Sequence, residues 1–204
     1  MVGLHAMIRP SQRSRAAPAV IIHGWQGSEP EHWQTWLVGE LRDVGREVRY
    51  PQLPDPDEPL LSPWLDALHF TLDGLPYGGF DLICHSLGAL LWLHHVETAD
   101  RSPRPARVAL VAPPSPRTAI PQLTGFLPVA LDAGAVRQAA DGIVLVCGDD
   151  DPYCPEGAAG AYGLPLKLPT TVIRGGGHLN LASGYGPWPA MLDWCSHDNL
   201  AFIG

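Results

Sequence analysis

Six short apolar runs separated by helical patterns constrain the fold of this chain more than any other feature of its sequence. Most of the runs are apolar throughout and lack the alternation of a strand with one solvent-facing side. Strands of this kind are typical of a parallel sheet that helices cover on both faces. We therefore predict an α/β protein with a doubly wound sheet. The predicted strands are Ala19–Ile22, Glu47–Tyr50, Phe80–Cys84, Arg107–Val111, Ile143–Cys147 and Thr170–Ile173.

Helical patterns occupy most of the intervals between these strands. In the first interval, Trp33, Trp36 and Leu37 fall on one apolar stripe. The interval 113–142, between the fourth and fifth strands, exceeds the usual connection length of roughly 2–6 residues. It is either a crossover helix with a proline-rich lead-in or a small lid or pocket wall. The predicted helices are Glu31–Val44, Pro63–Leu75, Leu87–Thr98, Ala133–Ala140, Pro155–Tyr162 and Pro187–His197.

Length and charge limit the organisation and the partners of the chain. Its 204 residues correspond to one domain, since a domain has roughly 150 residues. We predict an irregular N-terminal segment over residues 1–17 and a single domain over residues 18–204. The 13 basic and 21 acidic side chains give a net charge of −8. This acidic balance argues against nucleic acids and anionic membranes as partners.

The cysteines and the apolar runs bear on the compartment. The four cysteines show no Cys-x-x-Cys spacing, and two of them lie inside apolar runs. We expect buried free thiols in a reducing compartment. No run approaches the ~18 apolar residues of a membrane span, and the run after the basic N-terminal residues is too short for a signal peptide. These features predict a cytoplasmic protein, with a monomer as the simplest assembly.

The pentapeptide Cys-His-Ser-Leu-Gly at residues 84–88 is the strongest local signal for chemistry. It lies where an apolar strand ends and a helix begins, so the chain must turn sharply there. A serine at the apex of such a turn is presented at the carboxyl edge of the sheet. Small residues are needed two positions before and after Ser86, and Cys84 takes the first of these places. Ser86 is thus either an activated nucleophile or an ordinary helix N-cap.

Two later loops contain the partners that a serine nucleophile requires. The fifth strand runs into three aspartates at 149–151, and the sixth runs into three glycines followed by His178. A nucleophilic serine needs a base, and the base needs an orienting carboxylate. Both loops lie at carboxyl ends of strands, at the same edge as Ser86. We therefore predict a Ser-His-Asp site, with a solvated acidic turn and a surface histidine as the alternatives.

The first strand ends in His23-Gly24-Trp25-Gln26, which can supply an oxyanion hole. A glycine allows the backbone to approach a reacting carbonyl, and the next N–H can donate to it. We predict the backbone N–H groups of Trp25 and Leu87 as this pair of donors. His23, Gly24, His85 and Trp188 are candidates for the lining of the pocket, with a packed structural histidine as the alternative for His85.

The chain resembles the small α/β-hydrolases of the retinoblastoma-binding-protein-9 and YdeN type. The resemblance extends from about Ala19 to Trp194. It rests on the following pieces: His23-Gly24-Trp25-Gln26-Gly27-Ser28, Glu31-His32-Trp33, Cys84-His85-Ser86-Leu87-Gly88, Asp151-Pro152-Tyr153-Cys154-Pro155, Gly177-His178-Leu179-Asn180 and Gly184-Tyr185-Gly186-Pro187-Trp188-Pro189.

The resemblance implies an α/β-hydrolase fold and the roles of the site residues. The fold would have a compact, six-stranded, mostly parallel sheet of order 2-1-3-4-5-6, with helices on both faces and no large cap domain. Ser86 would be the nucleophile, His178 the base and Asp151 the orienting carboxylate. The Leu-x-Cys-x-Glu motif linked to pocket-protein binding is absent, because the stretch 82–86 ends in serine. We therefore do not predict a retinoblastoma-type pocket protein as a partner of this chain.

The sequence thus predicts a carboxylesterase-like serine hydrolase of a small acyl substrate, acting through an acyl-enzyme. No metal or organic cofactor is expected. Two alternatives remain open. One is a non-catalytic binding protein on a hydrolase scaffold. The other is an acyltransferase or lyase that uses the same triad.

Overall fold

All six predicted strands form one sheet in the computed structural model, which describes residues 17–98 and 103–197. The strand order is 2-1-3-4-5-6, and every neighbouring pair is parallel, so the predicted sheet is confirmed. Of the predicted N-terminal segment, residues 1–17, only Ala17 lies within the described residues. The strands are β1 (Ala19–Ile22), β2 (Val48–Arg49), β3 (Asp81–His85), β4 (Arg107–Val111), β5 (Gly142–Gly148) and β6 (Thr170–Ile173).

Helices fill the intervals between the strands. The predicted helix at Pro155–Tyr162 is instead one π-helical turn at Ala159–Gly163. This segment contains two glycines, which weaken a regular α-helix. The helices are α1 (Trp33–Asp43), α2 (Leu61–Leu72), α3 (Leu87–Thr98), α4 (Pro121–Thr124), α5 (Ala133–Ala139), α6 (Leu164–Leu166) and α7 (Pro189–Ser196), and a 3₁₀ turn lies at Leu181–Ser183. Within the described ranges no helix is long and apolar enough to cross a membrane.

The sheet separates two apolar cores, which explains the continuous apolar runs of the sequence. On β1, Val20 and Ile22 face the core formed with α2 and α3, whereas Ala19 and Ile21 face the core formed with α1 and α7. Successive side chains of a strand point to opposite faces, so a sheet covered on both sides needs apolar residues at every position. All four cysteines are buried free thiols, as predicted.

A buried ionic cluster ties the amino-terminal edge of the sheet together. Asp81, the first residue of β3, receives two hydrogen bonds from the Arg107 guanidinium, at 2.8 and 2.6 Å, and also pairs with Arg46. The two arginines in turn donate to backbone carbonyls of Trp194 and Cys195 in α7. We call Asp81, Arg46 and Arg107 the basal cluster. It joins β3, β4, the segment before β2 and α7 at the edge opposite to Ser86.

Candidate active site

Ser86 occupies the sharp turn between β3 and α3. Its φ of 53° lies in the left-handed region, where the backbone of a residue other than glycine is strained. The turn brings its neighbours very close. A Cβ on Gly88 would lie 2.6 Å from the carbonyl oxygen of His23, and a Cβ on Gly24 would lie 2.7 Å from the Ser86 Cβ. Only glycine fits at these two positions while the strand and the helix keep this approach.

The structure brings Ser86, His178 and Asp151 into one hydrogen-bonded chain. His178 Nε2 lies 2.9 Å from Ser86 Oγ, and His178 Nδ1 lies 2.8 Å from Asp151 Oδ2. A carboxylate only accepts hydrogen bonds, so Nδ1 carries the proton and the lone pair of Nε2 faces the serine. The three residues are 7%, 5% and 2% exposed. This is the arrangement in which a histidine can take the serine proton.

The three consecutive aspartates have different partners. Asp151 accepts from His178 and from the Tyr153 N–H, the latter at 2.8 Å. The carboxylates of Asp149 and Asp150 instead accept from backbone N–H groups of the glycine loop before His178, at 2.8 and 2.7 Å. Asp151 is therefore the carboxylate that can orient the histidine, and its neighbours hold the loop that carries this histidine.

Two backbone N–H groups beside Ser86 remain available to a ligand. Those of Trp25 and Leu87 have no hydrogen-bond acceptor among the described residues. The Trp25 N–H is held in place indirectly. The Leu53 N–H donates to His23 Nε2 at 3.0 Å, so the other ring nitrogen donates to the Gly24 carbonyl, at 2.8 Å. Because a trans peptide is planar, fixing this carbonyl also fixes the Trp25 N–H on its opposite side.

A small cavity of about 90 Å³ opens above the serine. Of the four predicted lining residues, only His85 is among those that line it. His23 lies behind the wall, because its ring is engaged by Leu53 and Gly24. Trp188 packs on Trp33 with ring centroids 5.1 Å apart and leaves the cavity to other residues. The lining consists of Trp25, Gln26, Gly27, Glu29, His32, His85, Ser86, Leu123, Tyr153, His178 and Asn180.

The long connection 113–142 forms part of this wall. Leu123 of α4 lines the cavity, and Phe126 is fully buried against Trp64 with ring centroids 5.4 Å apart. The ring of His94 in α3 also bonds to the Phe126 carbonyl, at 2.8 Å. Of the two readings of this segment, the structure favours a pocket wall, and its short helices are too small for a cap domain.

Two buried histidines lie next to the proposed base. His85 Nε2 donates to the His178 carbonyl at 3.0 Å and so holds the backbone of the base. The ring of His32 lies 5.2 Å from that of His85. Burial lowers the pKa of His85 well below its usual value and that of His32 to about 4, so both rings are neutral near pH 7.

His32 is not among the predicted site residues, because its position depends on how the loop before α1 folds back onto β3. The only available signal is its place in the Glu31-His32-Trp33 piece. Tyr153 and Asn180 were also missed, although each lies two residues from a predicted site residue on the same loop.

Comparison with known proteins shows the family of this chain. The sequence model of the family described as serine hydrolase matches residues 19–196. The chain belongs to this serine hydrolase family. Its sequence is 25% identical to the protein YdeN of Bacillus subtilis (strain 168) over 176 residues, which cover 85% of this chain and 91% of YdeN.

Solved structures of other proteins have the same fold as this serine hydrolase. The ydeN gene product of B. subtilis superposes with a TM-score of 0.77 at 23% identity, covering 87% of this chain and 95% of that one. Naproxen esterase from B. subtilis gives a TM-score of 0.54 at 15% identity, covering 91% and 83% of the two chains. The α/β-hydrolase fold implied by the sequence is thereby confirmed, and the family supports a hydrolytic function.

Proposed function

We propose that this serine hydrolase cleaves small esters or related acyl compounds through Ser86, His178 and Asp151. The observation that carries the proposal is the hydrogen-bonded chain of these side chains beside two backbone N–H groups that find no acceptor within residues 17–98 and 103–197. The structural likeness to an esterase is consistent with an ester substrate. The small cavity indicates a short acyl group.

The reaction follows from the positions of the atoms. His178 Nε2 takes the proton from Ser86 Oγ, which attacks the carbonyl carbon of the substrate. The N–H groups of Trp25 and Leu87 donate to the oxyanion that forms, and losing one such donor typically costs about 2.7–4 kcal/mol. The protonated histidine then gives its proton to the departing alcohol. An acyl group remains on Ser86.

Water completes the cycle. His178 Nε2 accepts a proton from water as its oxygen attacks the acyl carbon, and the N–H pair again holds the oxyanion. Collapse of this intermediate returns the proton to Ser86 Oγ and releases the carboxylic acid. Asp151 stays ionised throughout and stabilises the transient imidazolium.

The same residues also permit acyl transfer to an acceptor other than water. Competition between water and an added alcohol separates the two reactions, because a transferase forms a new ester in place of the acid.

Labelling with a fluorophosphonate probe tests the activated serine. We expect one adduct on the wild-type protein by intact mass, none on Ser86→Ala, and a loss of ester turnover of several orders of magnitude in this variant. Ser62→Ala, which changes an exposed serine of α2, is the matched control and should label like the wild type. An unlabelled wild-type protein that is folded would contradict the proposal and favour a non-catalytic binding protein. Unchanged turnover in Ser86→Ala would contradict Ser86 as the nucleophile.

A further inference from the structure

His32 is a buried side chain with an unused hydrogen-bond donor in the wall of the active-site cavity. It is 2% exposed, yet it lines the cavity that contains Ser86 and His178. Its ring also forms the N-cap of α1, where Nδ1 accepts from the Gln34 N–H at 3.2 Å. An acceptor nitrogen carries no proton, so the proton of the neutral ring is on Nε2.

The Nε2–H of His32 has no hydrogen-bond partner among the described residues. Among the described residues, three side-chain nitrogen atoms lack both a hydrogen-bond partner and solvent access: His69 Nε2, His95 Nδ1 and Trp194 Nε1. His32 Nε2 also lacks a partner, but it is not closed off from solvent in this way. This atom therefore keeps accessible surface, which for a ring so deeply buried lies in the cavity that it lines. A donor in such a place binds water until a ligand displaces the water.

The surroundings fix the position of this donor. Gln34 is fully buried, and its side-chain amide donates to the Ile22 carbonyl at the end of β1, at 2.9 Å. Trp33 Nε1 donates to the Leu179 carbonyl, in the residue after the proposed base, at 2.8 Å. The start of α1 is thus tied both to the sheet and to the loop that carries His178. Such a donor is preorganised, so little order has to be gained when a ligand binds.

Charge selects the kind of acceptor. Burial keeps the pKa of His32 near 4, so the ring is neutral near pH 7 and donates as a neutral N–H. Glu29 also lines the cavity, and its carboxylate disfavours an anionic ligand. An uncharged oxygen, in an ether, hydroxyl or carbonyl group, fits both conditions.

We propose that His32 is a specificity-determining residue, whose Nε2–H donates to an uncharged oxygen of the substrate in addition to the scissile ester. The substrate class is then a short ester with a further oxygen on its acyl or its alcohol side. A hydrocarbon analogue displaces the water and leaves the donor unpaired, which lowers its transition-state binding. This inference rests on the proposed esterase activity.

Pairs of isosteric esters test the inference. In the acyl arm, p-nitrophenyl methoxyacetate is compared with p-nitrophenyl butyrate. In the alcohol arm, 2-methoxyethyl acetate is compared with butyl acetate. For each pair, the kcat/KM of the oxygenated ester is divided by that of its hydrocarbon analogue. This ratio in the wild-type protein is then divided by the ratio in a variant, so that the intrinsic reactivity of each ester cancels.

Two variants separate recognition from folding. His32→Asn keeps an acceptor for the Gln34 N–H, because asparagine is a good N-cap, but it removes the distal N–H. His32→Gln loses the cap and returns an amide N–H near the position of Nε2. We expect the preference for the oxygenated ester to fall about tenfold in His32→Asn, in at least one arm, and to be largely kept in His32→Gln. A purely structural role would lower both members of a pair equally.

Each outcome is decisive. A changed ratio in the acyl arm or the alcohol arm supports the inference and assigns the oxygen to that side. Unchanged ratios in both arms, with turnover that still depends on Ser86, overturn the role of His32 and leave the proposed function intact. Absence of any Ser86-dependent turnover and of fluorophosphonate labelling overturns both.

Discussion

At the scale of single residues, the loop after β5 shows how neighbouring identical side chains take different tasks. Asp151 accepts from His178, whereas Asp150 accepts from the Gly177 N–H in the loop that carries this histidine. The difference follows from the path of the backbone after Gly148. A Cβ at Gly148 would lie 2.3 Å from the Gly177 carbonyl oxygen, so the two loops can approach only because glycine stands there.

Asp151→Asn should lower kcat by about 10³- to 10⁴-fold without unfolding the protein. The amide of asparagine can donate to His178 Nδ1 and so favours the tautomer in which Nε2 carries the proton and cannot take one from Ser86. Asp150→Asn is the matched control, because its side-chain oxygen can still accept from Gly177, and its loss should stay below about tenfold. Steady-state kinetics with circular dichroism measures both. Equal losses in the two variants would contradict the assignment of Asp151.

At the scale of elements, the approach of the β1 loop to the turn at Ser86 shapes the site. The loop bends through Gln26 and Gly27, which both have positive φ, and the Gln26 N–H donates to the Pro56 carbonyl at 2.8 Å. This bend leaves the Trp25 N–H beside the serine. Two loops that are distant in sequence therefore carry the two N–H groups that we propose as oxyanion donors.

Gly24→Ala should lower kcat/KM by about 10²-fold, because its Cβ would lie 2.7 Å from the Ser86 Cβ and must displace one of the two loops. Gly39→Ala, in α1, places its Cβ in open space and serves as control. It should keep full activity and gain up to about 1 kcal/mol in stability. Kinetics and chemical denaturation measure the two effects. Full activity in Gly24→Ala would show that the loops can move apart without cost.

At the scale of the whole molecule, the basal cluster and the active site lie at opposite edges of the sheet. Asp81 begins β3 and Ser86 follows its end, so about 16 Å of strand separate them at roughly 3.3 Å per residue. The cluster joins β3 and β4 to the segment before β2 and to α7 through a carboxylate that is 2% exposed.

Asp81→Asn should destabilise the protein by about 3–5 kcal/mol, because it leaves two buried guanidinium groups without their counter-charge. Asp141→Asn breaks a more exposed pair with Arg104 and should cost at most about 1 kcal/mol. Urea denaturation gives both values. The folded fraction of Asp81→Asn should still label with the fluorophosphonate, and similar stabilities of the two variants would contradict the role of the cluster.

The sequence predicted the sheet well and the site in part, for physical reasons. Continuous apolar runs such as 107–111 identify strands directly, because burial on both faces acts on every residue. Ser86 and His178 of the proposed triad follow from their places after strands, whereas the choice of Asp151 among three consecutive aspartates rests on the family resemblance. The places of His32 and Leu123 in the cavity wall could not be predicted, since they depend on how the loop before α1 and the long connection 113–142 fold across the edge of the sheet. Trp188 was placed at the pocket for its nearness in sequence, whereas its packing on Trp33 turns it away.

The separation of the basal cluster from the cavity has a consequence for how this chain can evolve. Substitutions at exposed wall positions such as Gln26 and Glu29 alter the surroundings of the serine, while the interactions that hold β3, β4 and α7 together lie at the other end of the strands. Substrate preference can therefore drift, or be redirected in the laboratory, with little loss of folding stability. A library confined to these wall positions would retain most of its members as folded proteins.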